Sequence, residues 1–509
     1  SGRLTAGSYT LDSGTVTADL GTGTFTSTGA STLAGTASAS NVTVQAGSLA
    51  LGAAGRLADT AAVAVASGAT LRLAGDDTVG TLVLAGTLAG SGTLSATTTT
   101  LNSGTVSANL GAGALVSTGS SSLVGTSAAS GVAVDSGTLA LGAAQRLTVE
   151  PALTVAGGAT LQLGGDQSLG SLSGAGSVNL GAATLTTGSG GDSLYAGAVV
   201  GSGGLVKQGD SVFTITGSNT YTGITTVAQG TLRLGDGGST GSLATAAFDL
   251  QGALVFNRND AVTLAQPVAG TGTLAQAGTG TLTLAGHNKT YTGDTRVANG
   301  VLATADSDNL PDASAVVVQD TGRLTLGGSE ILRSVTAQGP VALAGDLRAS
   351  EDLLLSGAVT VPGQQAVKLT ARRIDAVNPG NVWGQSVSLD ASDRVTLASG
   401  SDGSGSTATP RSLVLGTVNL AAGGRIDAGT LSLSDTTTLS GGTLELVSSA
   451  AQAISAPGAD LADKQAVGLP LAYAADAVLQ TGGSIDLAAG ATLQVHATQG
   501  GSVQLGRTG

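Results

Sequence analysis

The sequence predicts an all-β fold, a β-solenoid drawn out as a single elongated rod. Three observations carry that prediction: a glycine-rich, charge-poor composition, a 90-residue segment that occurs twice, and a Thr-Leu-x-Leu unit that recurs along the chain.

Glycine supplies 82 of the 509 residues, and only 10% of the chain is charged, against about 25% in ordinary globular domains. There are four Phe, five Tyr and one Trp. Each buried aromatic removes about 150–250 Å² from water, so a compact core of this size would draw on many more. The core must be thin and filled mostly by small aliphatics. The chain is nevertheless not a disordered one, because 41% of it is hydrophobic and the apolar residues are regularly spaced, enough to offset chain entropy.

The net charge of −13 argues against a nucleic-acid partner or an anionic membrane surface, both of which need clustered Lys and Arg. Cysteine and methionine are absent. The first absence fits a chain threaded unfolded through a narrow pore, where a disulfide would jam. The second suggests a processed or excised piece of a longer product, with any signal or anchor outside it. No window approaches the ~20 consecutive apolar residues of a membrane helix.

Residues 11–80 align without a gap to 101–170, with 40 of 70 positions identical. LDSGTVTADLG matches LNSGTVSANLG, and GSLALGAAGRL matches GTLALGAAQRL. Such self-similarity marks a duplicated structural module. Within and beyond it run TLRL at 70, TLVL at 81, TLAL at 138, TLQL at 160, TLRL at 231, TLTL at 281, TLSL at 430, TLEL at 443 and TLQV at 492. In each, alternation sends two apolar side chains to one face and the intervening residue to the other.

Short strands separated by a few turn residues fit a sandwich, a set of barrels or a solenoid. The solenoid is preferred because equivalent rungs stack Leu on Leu and glycine corner on glycine corner, without large core side chains. At roughly 20 residues per coil and about 4.8 Å per step, some 24 coils would make a rod on the order of 115 Å long. Departures from the rhythm are expected at 400–410 (GSDGSGSTATP), as a flexible excursion, and at 459–480, as a capping or protruding helix containing Tyr473 and Asp476.

Residues 195–234 carry Tyr195, Gly197, Gly201, Gly203, Gly204, Leu205, Lys207, Gly209, Gly217, Asn219, Tyr221, Gly223, Thr225, Gly230 and Leu232. This spacing resembles the passenger-associated transport repeat of autotransporters and related type V secreted proteins. A second copy carries Gly270, Gly272, Leu274, Gly278, Gly280, Leu282, Gly286, Tyr291, Gly293, Thr295 and Gly300. It departs from the first in two places: Gln276 stands for Lys207, and Lys289 adds a residue before the Tyr-Thr-Gly turn. The flanks resemble, more loosely, the shafts of filamentous-haemagglutinin-type exoproteins of two-partner secretion.

The resemblance implies a right-handed parallel β-helix. It also implies a bacterial cell-surface location and export through an outer-membrane β-barrel transporter, fused or separate. The VQLGRTG end lacks the amphipathic strands of a barrel, so no membrane insertion by this segment is expected. The reading divides the chain into a β-helix at 1–190 holding the duplication, transport repeats at 191–330, and β-helix with excursions at 331–509. The expected function is that of a stalk or passenger segment of an adhesin. Host or neighbouring-cell surfaces, glycans among them, are the expected partners. A passive export or spacer module and a carbohydrate-active β-helix are the alternatives.

No catalytic, cofactor-binding or metal residue is expected. Asp76 and Asp77 form a GDD turn whose duplicate is Asp166-Gln167, so charge is dispensable there. The run Asp306, Asp308, Asn309, Asp312 resembles a calcium loop, but Leu310 occupies a ligand position and the turn glycine is missing. Asp192 lies in a lone Gly-Asp element that cannot stack as a β-roll does. His287 and His496 lie far apart, which disfavours a shared metal or a triad. Trp383 is expected to pack over a loop. Ranks of outward Thr suggest ice binding, but they do not recur at every coil. Asn41-Val-Thr and Asn288-Lys-Thr are glycosylation sequons at near-chance frequency.

Overall fold

The computed structural model describes residues 2–361, 366–376 and 378, and, as backbone, the strands from Ser386–Leu397 to Val503–Arg507. The chain divides into two units, Ser1–Leu254 and Val255–Gly509. In both, short strands pair in parallel with strands one coil away, which defines a parallel β-helix. Paired residues such as Thr81 and Thr98, or Asn41 and Ala62, are separated by one full circuit of the chain. A sandwich of hairpins cannot produce that register.

In the first unit one sheet runs from Ser8–Leu11 through Thr24–Ser27, Asn41–Val44, Ala62–Val65, Asp77–Leu84, Thr93–Leu101, Ala114–Ser117, Gly131–Val134, Ala152–Val155 and Ser171–Gly174, and on through Ser193–Tyr195 and Val212–Ile215 to Thr231–Leu234. A second sheet runs from Gly14–Val16 to Ala198–Val200. A third column is thinner. It passes through the single bridges Leu20 to Ala37 to Leu57 and Leu110 to Ser127 to Leu147, and widens into a sheet from Gln167–Ser168 onward. In the second unit the strand ladders start at Ala261–Leu264 and Thr273–Gln276 and repeat the same parallel pattern.

The Thr-Leu-x-Leu units are strands in this frame: Thr70–Leu73, Thr138–Leu141, Thr160–Leu163, Thr231–Leu234 and Thr281–Leu284 all alternate outward and buried. The inward positions stack into ladders. Leu49, Leu71, Leu88, Val106, Leu123, Leu141 and Leu163 are successive partners and are all buried. Each such side chain contributes about 1.5–3 kcal/mol by leaving water. The aromatic residues join the same core. Tyr9, Phe25, Tyr195, Phe213, Tyr221, Phe248, Phe256 and Tyr291 are all buried, so no described Phe or Tyr faces solvent.

The register explains the length of the duplication. Five steps, through Ala62, Thr81, Thr98 and Ala114, carry Asn41 to Gly131, the residue 90 positions further on. The duplicated module is five whole coils. Glycine corners make the tight stacking possible. A side chain on Gly197 would overlap the carbonyl oxygen of Gly176, and one on Gly217 that of Gly197. The expected excursion at 400–410 and residues 459–476 of the expected helix lie outside the described residues, while residues 477–480 of that stretch belong to the strand Ala477–Gly482 and not to a helix.

Candidate functional site

The polar residues that enter the core bond to groups of their own coil or of a neighbouring one. Lys207, at the end of the strand Leu205–Lys207, points inward and is fully buried. Its Nζ donates to the carbonyls of Gln208 (2.8 Å), Gly209 (2.7 Å) and, one coil on, Gln229 (3.2 Å). Burial lowers its pKa, opposed by Asp210 and Asp192. In the second repeat Gln276 takes the same inward position and its Nε2 donates to Gly278 (2.8 Å) and Gly280 (3.0 Å). The departure noted in the sequence therefore keeps a donor for the carbonyls of its own corner but drops the bond that Lys207 makes to the next coil.

Tyr221 and Tyr291 are the next members of each repeat. Their hydroxyls pair with Thr225 and Thr295, each at 2.6 Å, and Thr295 continues to Ser314 Oγ at 2.8 Å. Burial pushes both phenols well above their ordinary range. Tyr195 donates to the carbonyl of Gly176 at 2.8 Å. These aromatic groups fill the coil and satisfy their polar ends internally.

The position before the second tyrosine differs from the sequence reading. Lys289 was expected as an added turn residue. Counted back from tyrosine it occupies the inward slot of Asn219, and both are buried. Asn219 Oδ1 accepts from the Val199 amide at 2.8 Å, whereas the Val268 amide donates to the backbone carbonyl of Asn288 at 3.1 Å. Lys289 Nζ donates to Ala285 O (2.8 Å), Gly286 O (3.3 Å) and Asn288 Oδ1 (2.6 Å), and burial brings its pKa down to about 8.

Asp77 is also placed differently from expectation. It is not a turn carboxylate: it opens the strand Asp77–Leu84, faces the core and is buried. Its oxygens accept from the amides of Arg56 (2.7 Å), Leu57 (3.3 Å) and Thr78 (3.0 Å). Its duplicate Gln167 accepts from the Leu147 amide at 3.2 Å and donates to the Leu147 and Ser168 carbonyls, each at 2.9 Å. Asp76, by contrast, is exposed and accepts from the Thr93 amide, as Asp166 does from Thr184, each at 2.7 Å. Sequence reasoning missed Glu330, which is almost completely buried and accepts from the Asn309 and Leu310 amides, each at 3.1 Å. Burial pushes its pKa up to about 7, against the lowering effect of those amides.

The remaining candidates are scattered. Asp306 pairs with the Asn309 side chain, Asn309 and Leu310 are buried, and no group of metal-ligating side chains exists among the described residues. Asp192 accepts from the Val212 amide of the next coil at 2.7 Å. His287 is exposed, with Nε2 3.8 Å from Asp306 Oδ2. Asn41 is exposed and Asn288 half-buried. Trp383 and the side chain of His496 lie outside the described residues. No described helix is long and apolar enough to cross a membrane.

Residues 205–234 and 274–303 match the passenger-associated-transport-repeat family. These are the stretches that carry Lys207 with Tyr221 and Gln276 with Tyr291. A stretch of 86 residues is 37% identical to the "Adhesin BmaC autotransporter" of Brucella suis biovar 1 (strain 1330). That stretch is 16% of this chain and 2% of the relative, so the chain spans a small fraction of that protein. No solved structure matches the chain. Two transport repeats seated in a parallel β-helix, together with that likeness, make the chain a passenger segment of the autotransporter kind, secreted and exposed at the cell surface.

Proposed function

We propose that this segment is part of the stalk of a surface adhesin, presenting or mediating attachment to host or neighbouring cells, and that it performs no catalysis. The observation that carries this reading is how the chain uses its chemically capable side chains. Asp77, Gln167, Lys207, Gln276 and Glu330 are buried and bonded to backbone groups of their own or adjacent coils. A carbohydrate-active site needs converging carboxylates and aromatic faces in a groove. The described Tyr and Phe all face inward. The name of the Brucella relative supports adhesion, and a rigid stack of coils suits the holding of a binding region away from the cell.

The alternative of a passive export or spacer module differs only in having no ligand. Displaying residues 1–509 on a non-adherent bacterium, through a fused outer-membrane barrel, separates the two. Attachment to epithelial cells above the barrel-only control, competed away by the purified chain, is the expected result. Full display without attachment favours the spacer. Release of reducing sugars from a bacterial or host polysaccharide overturns both.

A further inference from the structure

We propose that the first ten strands of the first sheet of the Ser1–Leu254 unit form a self-association face, and that its occupant is a second copy of the same ten strands. This goes beyond the adhesive reading and does not depend on it. Ten successive strands, from Ser8–Leu11 to Ser171–Gly174, stack in one parallel ladder. Alternation leaves two side chains of each strand pointing outward, in two straight ranks. Residues paired in one rank include Thr10 with Thr26, Thr26 with Thr43, Val83 with Thr100, and Thr100 with Val116. The ranks hold only Thr, Ser, Ala, Val, Asn and Gly: among these described residues none is charged and none is aromatic.

Three arguments choose the occupant. The chain carries a net charge of −13, so two copies repel wherever charged surfaces meet. A two-fold contact sets a patch against itself, and like charges there cost several kcal/mol, which leaves an uncharged face as the self-compatible one. The rest of the same sheet is not so clean, because Arg233 stands outward on Thr231–Leu234, and neither is the companion sheet, where Arg72 stands outward and exposed on Thr70–Leu73. The second argument is size. Ten strands about 4.8 Å apart and about 13 Å long cover on the order of 600 Å² per copy, about 1,200 Å² for the pair, the lower bound of stable specific interfaces. The third is chemistry. Small side chains in regular ranks let two flat sheets approach closely and interdigitate, whereas a sugar polymer would call for aromatic platforms, and this face has none.

The test is sedimentation equilibrium of the full chain with two sets of variants. Thr26→Arg with Thr100→Arg and Thr154→Arg charges the face, and Thr87→Arg with Ala140→Arg charges the companion sheet by a similar amount. The expected result is a concentration-dependent dimer that the first set weakens on the order of a hundredfold and the second leaves intact. Thr26→Glu with Thr100→Glu and Thr154→Glu is also expected to be monomeric alone. Mixing the Arg and Glu triple variants should restore dimers, a result that misfolded variants could not give. A wild-type chain that stays monomeric at every concentration overturns the proposal. So does a dimer that survives the Arg triple variant, or a monomer retained on insoluble polysaccharide through this face.

Discussion

The two copies of the duplicated module solve the same problems with different chemistry. At one position Asp19 Oδ1 accepts from the amide and hydroxyl of Thr36, each at 2.9 Å, and in the second copy Asn109 Oδ1 accepts from the amide (3.1 Å) and hydroxyl (2.9 Å) of Thr126. At another, buried Asp77 becomes buried Gln167. At a third, Gly55 with φ +61° becomes Gln145 with φ +50°. The folded coil requires an acceptor oxygen at two of these places and a left-handed backbone at the third. It requires neither a charge nor, strictly, a glycine.

The largest effect should come from removing the acceptor altogether. Asp77→Ala strands the amides of Arg56 and Leu57 beside the core, at a cost of about 3 kcal/mol, and Gln167→Ala should cost a comparable amount in its own coil. Hydrogen exchange at residues 56, 57 and 147 reads both. Asp77→Gln, which imitates the second copy, should recover most of the loss. If Asp77→Ala leaves exchange unchanged, the bond is not a staple.

Next comes a carboxylate outside the duplication. Glu330 resembles Asp77 in accepting from two amides of the preceding coil, and its folded pKa is about 7 against an ordinary 4.5. The folded chain therefore retains a proton that the unfolded chain has released. Its contribution to stability is full below pH 4.5 and falls as pH rises to about 7, by about 3 kcal/mol. Urea titrations across that range should show the decline, and Glu330→Gln should flatten it. A wild-type profile that is flat between pH 5 and 7 would contradict the burial argument.

A smaller effect is expected at the left-handed corner. Gly55 has open space where a Cβ would sit, so only its backbone angle opposes a side chain. Gly55→Gln should cost about 1 kcal/mol, measurable as a lowered urea midpoint. Smallest of all is Asp19→Asn. The Thr36 amide and hydroxyl hold the Asp19 carboxyl below its ordinary value, so wild type should lose a little stability as pH falls through that folded pKa. The variant should not, and above pH 5 the two should be indistinguishable.

The strands were readable because Leu and Val alternate at every Thr-Leu-x-Leu unit, and the coil length followed from their spacing. The polar core was less readable. Asp77 follows Gly75 and Asp76 and so has the local look of a turn, although it stands two residues before buried Val79 and therefore shares its face. Glu330 stands two before buried Leu332 in the same way. Extending the two-residue period through polar positions would have placed both inside. Lys289 reads as an added turn residue in the sequence, but the tyrosine two positions on is fixed in the core, and counting back from it puts Lys289 inside. Outward residues obey no such rule, and for that reason the composition of the first sheet's solvent face was visible only once the strands were stacked.

Because the duplicated module is five whole coils, the gene that encodes it can change length without frustrating the fold. Recombination between the two copies adds or deletes 90 residues at a stroke. Each product lengthens or shortens its unit by about 24 Å, with every strand still facing its proper neighbour. Unequal exchange between sister sequences thus becomes a source of surface projections graded in reach, available to selection without a single new packing problem to solve.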